Sequence, residues 1–218
     1  EVRVTEIGVS SYDLPPVEIG IENPYFRLTF NKFNGQLLEI TNKVTGTSYL
    51  KNTSAGSSPF LIFPDPAQDR PAHPSHSTFT SMRSLDSRDF RATSCQLTEE
   101  KGRKTLTFAL RNKGDTLALR MRITVPDDKN WSVWTLAISN LGRKAVKVSA
   151  AFPLFKHLVI GKAADNLVTL PEGRGEIRQF TDPFDTSYQG IYGGECSMQW
   201  IAQFKPRLKE GFGVIVED

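Results

Sequence analysis

Residues 117–125 read LALRMRITV, and their alternation constrains the fold more than any other feature of the chain. Leu117, Leu119, Met121, Ile123 and Val125 share one parity, while Ala118, Arg120, Arg122 and Thr124 share the other. An extended strand sends successive side chains to opposite faces, so such a run buries one face and wets the other. The same period recurs on both sides of it. Leu106, Phe108 and Leu110 alternate with Thr105, Thr107 and Ala109; Trp134, Leu136 and Ile138 follow, then Val146, Val148, Ala150 and Phe152. Turn-forming segments at 112–115, 126–130 and 140–143 separate these runs. Three neighbouring hairpins joined by loops of about four residues are the simplest arrangement.

The N-terminal part is extended as well. Val17, Ile19 and Ile21 occupy one parity and Phe26, Leu28 and Phe30 the other, with the change at Glu22-Asn23-Pro24. Proline donates nothing to a strand ladder, so a bulge or a break between two strands belongs there. A turn at Asn34-Gly35, a strand from Gln36 to Ile40 and a second turn from Asn42 to Gly46 come next. The strongest helix signal, around Ala163 to Leu167, is short. Segments 64–78, with four prolines, and 181–195 read as long loops. The sum is roughly a dozen or more strands, which predicts an all-β fold, a large antiparallel β-sandwich. No fixed-period repeat is present, which argues against a propeller.

Hydrophobic residues make up 39% of the 218, enough for a packed core in one large all-β domain or two small ones. The chain is read as a single domain over residues 1–218. Its net charge of +3 comes from 27 basic and 24 acidic residues, without the basic stripe and interleaved aromatics of a nucleic-acid binder. No apolar run reaches the roughly 20 residues of a membrane-spanning helix. Cys95 and Cys196 fit either a disulfide or two buried thiols, and lack the C-x-x-C spacing of redox or zinc chemistry. The chain opens on Glu1 without an initiator Met and stops after the strand-like GFGVIVED, as if cut at a domain boundary.

Candidate chemistry is sparse. His73 and His76, with Asp69 nearby, offer metal-binding atoms, but Pro74 prevents the helix that would align the two rings, and a solvated proline-rich loop is the plainer reading. His157 reads as a strand-end or buried histidine rather than a general base. There is no G-x-S-x-G, and neither Gly173-Arg174-Gly175 nor Gly190 to Gly194 has phosphate-loop spacing. Asn52-Thr53-Ser54 and Asn130-Trp131-Ser132 match the glycosylation sequon.

The richest segment is the second long loop. Asp182, Asp185 and Glu195 share it with Tyr188 and Tyr192, and Gln199 and Trp200 follow just beyond. Aromatic faces stack on the apolar side of a pyranose, and carboxylates and amides bond its hydroxyls. Tyr188, Tyr192, Gln199, Trp200, Asp185 and Glu195 are therefore candidate carbohydrate-binding residues; a polar loop leading into a core strand is the plainer explanation. Asp182, Asp185 and Glu195 would form a hydrolytic or epimerising centre only if they converged in one pocket. No catalytic residue, cofactor or metal is assigned.

The run NPYFRLTFNKFNGQLLEITNKVTGTSYL resembles the start of the galactose-mutarotase-like β-supersandwich domains that precede (β/α)8 barrels in certain bacterial glycoside hydrolases. Asn23, Phe26, Leu28, Phe30, Gly35, Leu37, Ile40, Thr45 and Gly46 carry the likeness. Phe152, Pro153, Pro171 and Gly173 match an F-P … P-x-x-G segment, and Met198, Gln199, Trp200, Gly211 and Asp218 match the closing pattern. The resemblance implies a supersandwich that is itself non-catalytic, exported to the periplasm, cell surface or medium. It also implies carbohydrate as a partner, and a C-terminal catalytic barrel on the same polypeptide. A docking face for that barrel would be left as an exposed apolar patch. A stand-alone carbohydrate-binding module presenting Trp131 or Trp134 is the alternative.

Overall fold

The computed structural model describes residues 3–6, 18–50, 57–64, 84–156, 158–162, 165–170, 175–179 and 200–215. They form an all-β structure of antiparallel sheets. The chain divides into two compact units. The first comprises residues 1–69 and 82–157, and the second comprises 70–81 and 158–218.

The first unit is a two-layer sandwich. One layer is a five-stranded sheet whose strands are β1 (Arg3–Glu6), β7 (Phe90–Glu100), β8 (Arg103–Asn112), β9 (Leu117–Pro126) and β10 (Val133–Asn140), adjacent in that order. The register turns the sequence alternation into rows across the sheet. Cys95, Phe108, Met121 and Leu136 form one row; Leu97, Leu106, Ile123 and Trp134 form the next. The opposite layer is a four-stranded meander of β2 (Glu18–Glu22), β3 (Phe26–Asn31), β4 (Leu37–Asn42) and β5 (Thr47–Ser48). Ile19, Phe30 and Leu37 are aligned in it, as are Ile21, Leu28 and Ile40. The Phe30 ring meets Phe108 at 5.7 Å and Trp134 at 5.7 Å, which joins the two layers. Phe30, Leu37, Leu106, Phe108, Met121 and Ile123 are all fully buried. Full burial of one such side chain contributes about 1.5–3 kcal/mol relative to exposure.

Asparagines hold the turns, because their side chains bond the backbone two or more residues on. Asn42 Oδ1 accepts from Val44 N and Thr45 N, and Asn112 Oδ1 accepts from Thr116 N and Leu117 N. Gly35 and Gly46 adopt φ of 69° and 73°, which places the two expected N-terminal turns where the sequence puts them. The parity change at Glu22-Asn23-Pro24 is a break between β2 and β3.

The expected third hairpin does not form. β11 (Val148–Ala151) pairs with β6 (Leu61–Pro64) in a separate two-stranded ladder, and β10 is left at the edge of its sheet. Asn140 folds back locally, donating to Lys144 O and accepting from Gly142 N, so the chain leaves the ladder at the end of β10. Phe152 and Phe155 then pack on Trp134 from beyond β11.

Cys95 is a buried free thiol beside Phe108. Burial pushes it up to about 12, and the Lys32 ammonium only partly opposes this. It therefore stays protonated near neutral pH and behaves as a small apolar core residue. Cys196 lies outside the described residues.

The second unit contains a four-stranded antiparallel sheet of β12 (Leu167–Leu170), β13 (Glu176–Gln179), β14 (Trp200–Lys205) and β15 (Glu210–Ile215), in the order β13-β12-β14-β15. Of the expected helix around Ala163 to Leu167, Ala163 and Ala164 lie outside the described residues, and Leu167 is the first residue of β12. Helical structure among the described residues includes the short 3-10 turns Ser87–Asp89 and Pro206–Leu208. No helix there is long and apolar enough to cross a membrane.

Candidate functional site

Directly paired residues of antiparallel strands point to the same side, so the register of the second unit's sheet sorts its side chains into two faces. On one face Trp200 stands opposite Ile215, Ala202 opposite Gly213 and Phe204 opposite Gly211. Thr169 joins Ala202 to Ile177 across β12, and Leu167 lies beside Phe204. That face is apolar and open. Trp200 is 41% exposed, Ile177 65% and Ile215 71%, while Leu167, Ala202 and Phe204 are half-buried.

Two sequence features give this face its character. Gly211 and Gly213 put no side chain on the edge strand, so the neighbouring Phe204 and Ala202 stay accessible. A Cβ added at Gly211 would lie 3.1 Å from Phe204 Cβ. The central polar residue, Thr169, is satisfied internally: its hydroxyl accepts from Ala202 N at 2.8 Å and donates to Ala202 O at 3.2 Å. The face therefore makes no polar demand at its centre.

The opposite face is built differently. Val168 and Leu170 are buried there with Gln203 and Lys205. Gln203 Nε2 donates to Asn166 Oδ1, while Asn166 Nδ2 donates to Ile160 O and Lys162 O. Lys205 Nζ lies 2.9 Å from Asp165 Oδ2, and its hydrogen bond and charge hold the Asp165 carboxyl below the usual carboxylate range. These contacts hold the sheet on this side, although Ile201, at the start of β14 on the same face, is 42% exposed.

Trp200 is the candidate residue that the described structure contains, and it lies on the open face. Tyr188, Tyr192, Gln199, Asp185 and Glu195 lie outside the described residues, as do Asp182, Asp69, His73, His76 and His157. Ile177 and Ile215 were not among the candidates. Their signal was present in the sequence: EGFGVI alternates glycine with larger residues and ends on an isoleucine in the glycine parity.

In chemical terms the open face has an indole, two isoleucines, a phenylalanine ring and no titratable group at its centre. Among the described residues it suits dry packing against another apolar surface, or an aromatic platform under a sugar ring. Of the aromatics that would serve a free-standing sugar-binding face in the first unit, Trp134 is half-buried, packed on Phe30 and Phe155. Trp131 is 50% exposed. No group of three His, Cys, Asp or Glu side chains able to hold a metal occurs among the described residues. No protein-family model matches the chain, and no curated protein matches it in sequence.

Proposed function

We propose that this chain is the non-catalytic β-supersandwich part of a larger, exported carbohydrate-active enzyme of the galactose-mutarotase-like kind. Its open sheet face packs against a glycoside-hydrolase barrel that follows on the same polypeptide. The observation that carries this reading is the apolar face around Trp200, Ile177 and Ile215. Large exposed apolar patches of this kind mark surfaces that another protein surface covers. The antiparallel sandwich and the residues shared with such domains, Asn23, Phe30, Gly35, Leu37 and Gly46 in one meander, support it further.

In this role the chain supplies surface and not chemistry. Trp200 sits at the start of β14, five residues after the aromatic and acidic segment 181–195 in the sequence. The reading frame beyond the codon for Asp218 tests the proposal. An alternation of strands and helices is expected there, and a stop codon at that point overturns it. A stand-alone carbohydrate-binding module is the second reading, favoured by the half-exposed ring of Trp131.

A further inference from the structure

β10 closes one side of the five-stranded sheet: it pairs with β9 and, among the described residues, with no strand beyond it. Lysine, proline and bulges are the devices that blunt a free strand edge. β10 has none of them; its eight residues carry no charge, and its register with β9 runs without a shift. The N–H and C=O groups that point away from β9 are therefore open to an incoming strand.

The two sides of this edge differ in chemistry. On the inner side Leu119, Met121 and Ile123 of β9 are buried, but the residues opposite them on β10, Ile138, Leu136 and Trp134, are only half-buried. The apolar layer is incomplete there. On the outer side the parity shared by β8, β9 and β10 includes the exposed Arg111, Arg120 and Arg122 and no acid. Flanking arginines have partners, Arg91 with Asp115 and Arg103 with Glu100. Arg111, Arg120 and Arg122 make no ion pair among the described residues.

The register gathers these three into one patch. Arg111 stands opposite Ala118 and Ala109 opposite Arg120, so Arg111 and Arg120 are diagonal neighbours, about 7–8 Å apart. Arg120 and Arg122, two residues apart on one strand, are about 7 Å apart. Between them and the free edge stand only Ala137, opposite Arg120, and Thr135, opposite Arg122. A strand added at β10 would lie two strand spacings, about 10 Å, from β9. An extended arginine and a glutamate close that gap across an alanine or a threonine. Alternate side chains of an added strand repeat every 7 Å or so, which matches Arg120 and Arg122. The intervening side chains fall beside Leu136 and Ile138, where apolar surface is left to cover. A second copy of β10 meets only the apolar half of this demand, because Val133, Thr135, Ala137 and Ser139 bring no acid to the arginines. Single-stranded nucleic acid stacks its bases on aromatic rings, and the outer parity of β8, β9 and β10 has none.

We propose that the free edge of β10 binds, by strand addition, an extended segment of another protein in which apolar residues alternate with glutamate or aspartate. The apolar side chains cover Leu136 and Ile138, and the acids pair with Arg120 and Arg122. The site rests on the first unit alone and not on the role assigned to the Trp200 face.

The test is fluorescence anisotropy of a labelled, end-capped octapeptide of alternating valine and glutamate, titrated with the 218-residue chain at neutral pH and low salt. Saturable binding is expected, weakened about tenfold when Arg120→Gln and Arg122→Gln are combined. Ala137→Glu is expected to abolish it, since the new carboxylate occupies Arg120 and repels the peptide. All three positions are exposed, and circular dichroism confirms that each variant is folded. A peptide of the same composition with its valines and glutamates in separate blocks is expected to bind far more weakly; equal binding overturns strand addition. An oligonucleotide that binds more tightly than the peptide, and loses affinity in the arginine variant, gives the face to nucleic acid instead. A dimer in sedimentation that Ala137→Glu dissociates and Ile215→Lys does not gives the edge to a second copy. No binding of the alternating peptide overturns the proposal outright.

Discussion

Asn23 is the residue on which sequence and structure agree most closely, although for different reasons. In the sequence it marks a phase change before a proline; in the structure it is a buried amide using both its donor hydrogens and its acceptor oxygen. Alanine there would leave two carbonyls and two backbone amides without these partners. An unsatisfied buried polar group costs about 1–3 kcal/mol, and partial access to water lowers the total. Asn23→Ala is therefore expected to lose about 2–3 kcal/mol of stability in urea unfolding. A loss below about 0.5 kcal/mol would mean that these bonds are incidental. The break at residues 22–24 was legible from the change of parity before Pro24, but not the Asn23 side chain that closes it. Its bonds to Pro126 O and Lys129 O were not legible either, because nothing in a linear pattern reports a partner about a hundred residues away. Cys95 makes the same point: its place in the row with Phe108 and Met121 decides its state, and sequence spacing carries no such information.

Among the elements, period marked the long strands β8, β9 and β10 as strands and failed on which segment β11 joins. Strands β8, β9 and β10 pair with their sequence neighbours, and their hairpins follow the reading from alternation. Val148–Ala151 has the same signature, yet its partner is Leu61–Pro64. Short ladders are placed by tertiary packing, here by Phe152 and Phe155 on Trp134, which no period encodes. The turn glycines were legible as turns, but their inequality was not. Gly35 and Gly46 both have positive φ, but only Gly35 faces the core: a Cβ there would lie 3.1 Å from Met121 Cε and 3.5 Å from Leu110 Cδ1. A Cβ at Gly46 would meet nothing within 4 Å. Gly46→Ala is expected to lose about 1 kcal/mol from backbone strain alone, and Gly35→Ala about 2–3 kcal/mol, because Met121 must also shift in a filled core. Urea unfolding of the two variants compares them directly. Equal losses would show that the core around Met121 absorbs the extra methyl freely.

At the scale of the molecule, both units expose large apolar side chains, Trp131, Val133 and Leu141 among them in the first. The first closes one sheet over another through Phe30, Phe108 and Trp134. The second leaves Trp200, Ile177 and Ile215 on an open face. Sequence alternation could mark β14 and β15 as strands but not tell which face lies open, since a parity says nothing of what covers it. An open face of this kind has a consequence for the chain in isolation: water is unfavourable there, and each large side chain covered gains about 1.5–3 kcal/mol. The isolated chain is therefore expected to bind the dye ANS and to self-associate as its concentration rises. Ile215→Lys addresses both effects, since it places a charge on the face and on the edge strand β15, where lysine also discourages strand pairing. It is expected to lower ANS fluorescence and shift sedimentation towards monomer, with little loss of stability, because Ile215 is 71% exposed. The near-ultraviolet dichroism from Trp134, packed on Phe30 in the first unit, should not change. Self-association that Ile215→Lys and Ile177→Lys both leave intact would place the sticky surface elsewhere, and with it the docking role assigned to this face.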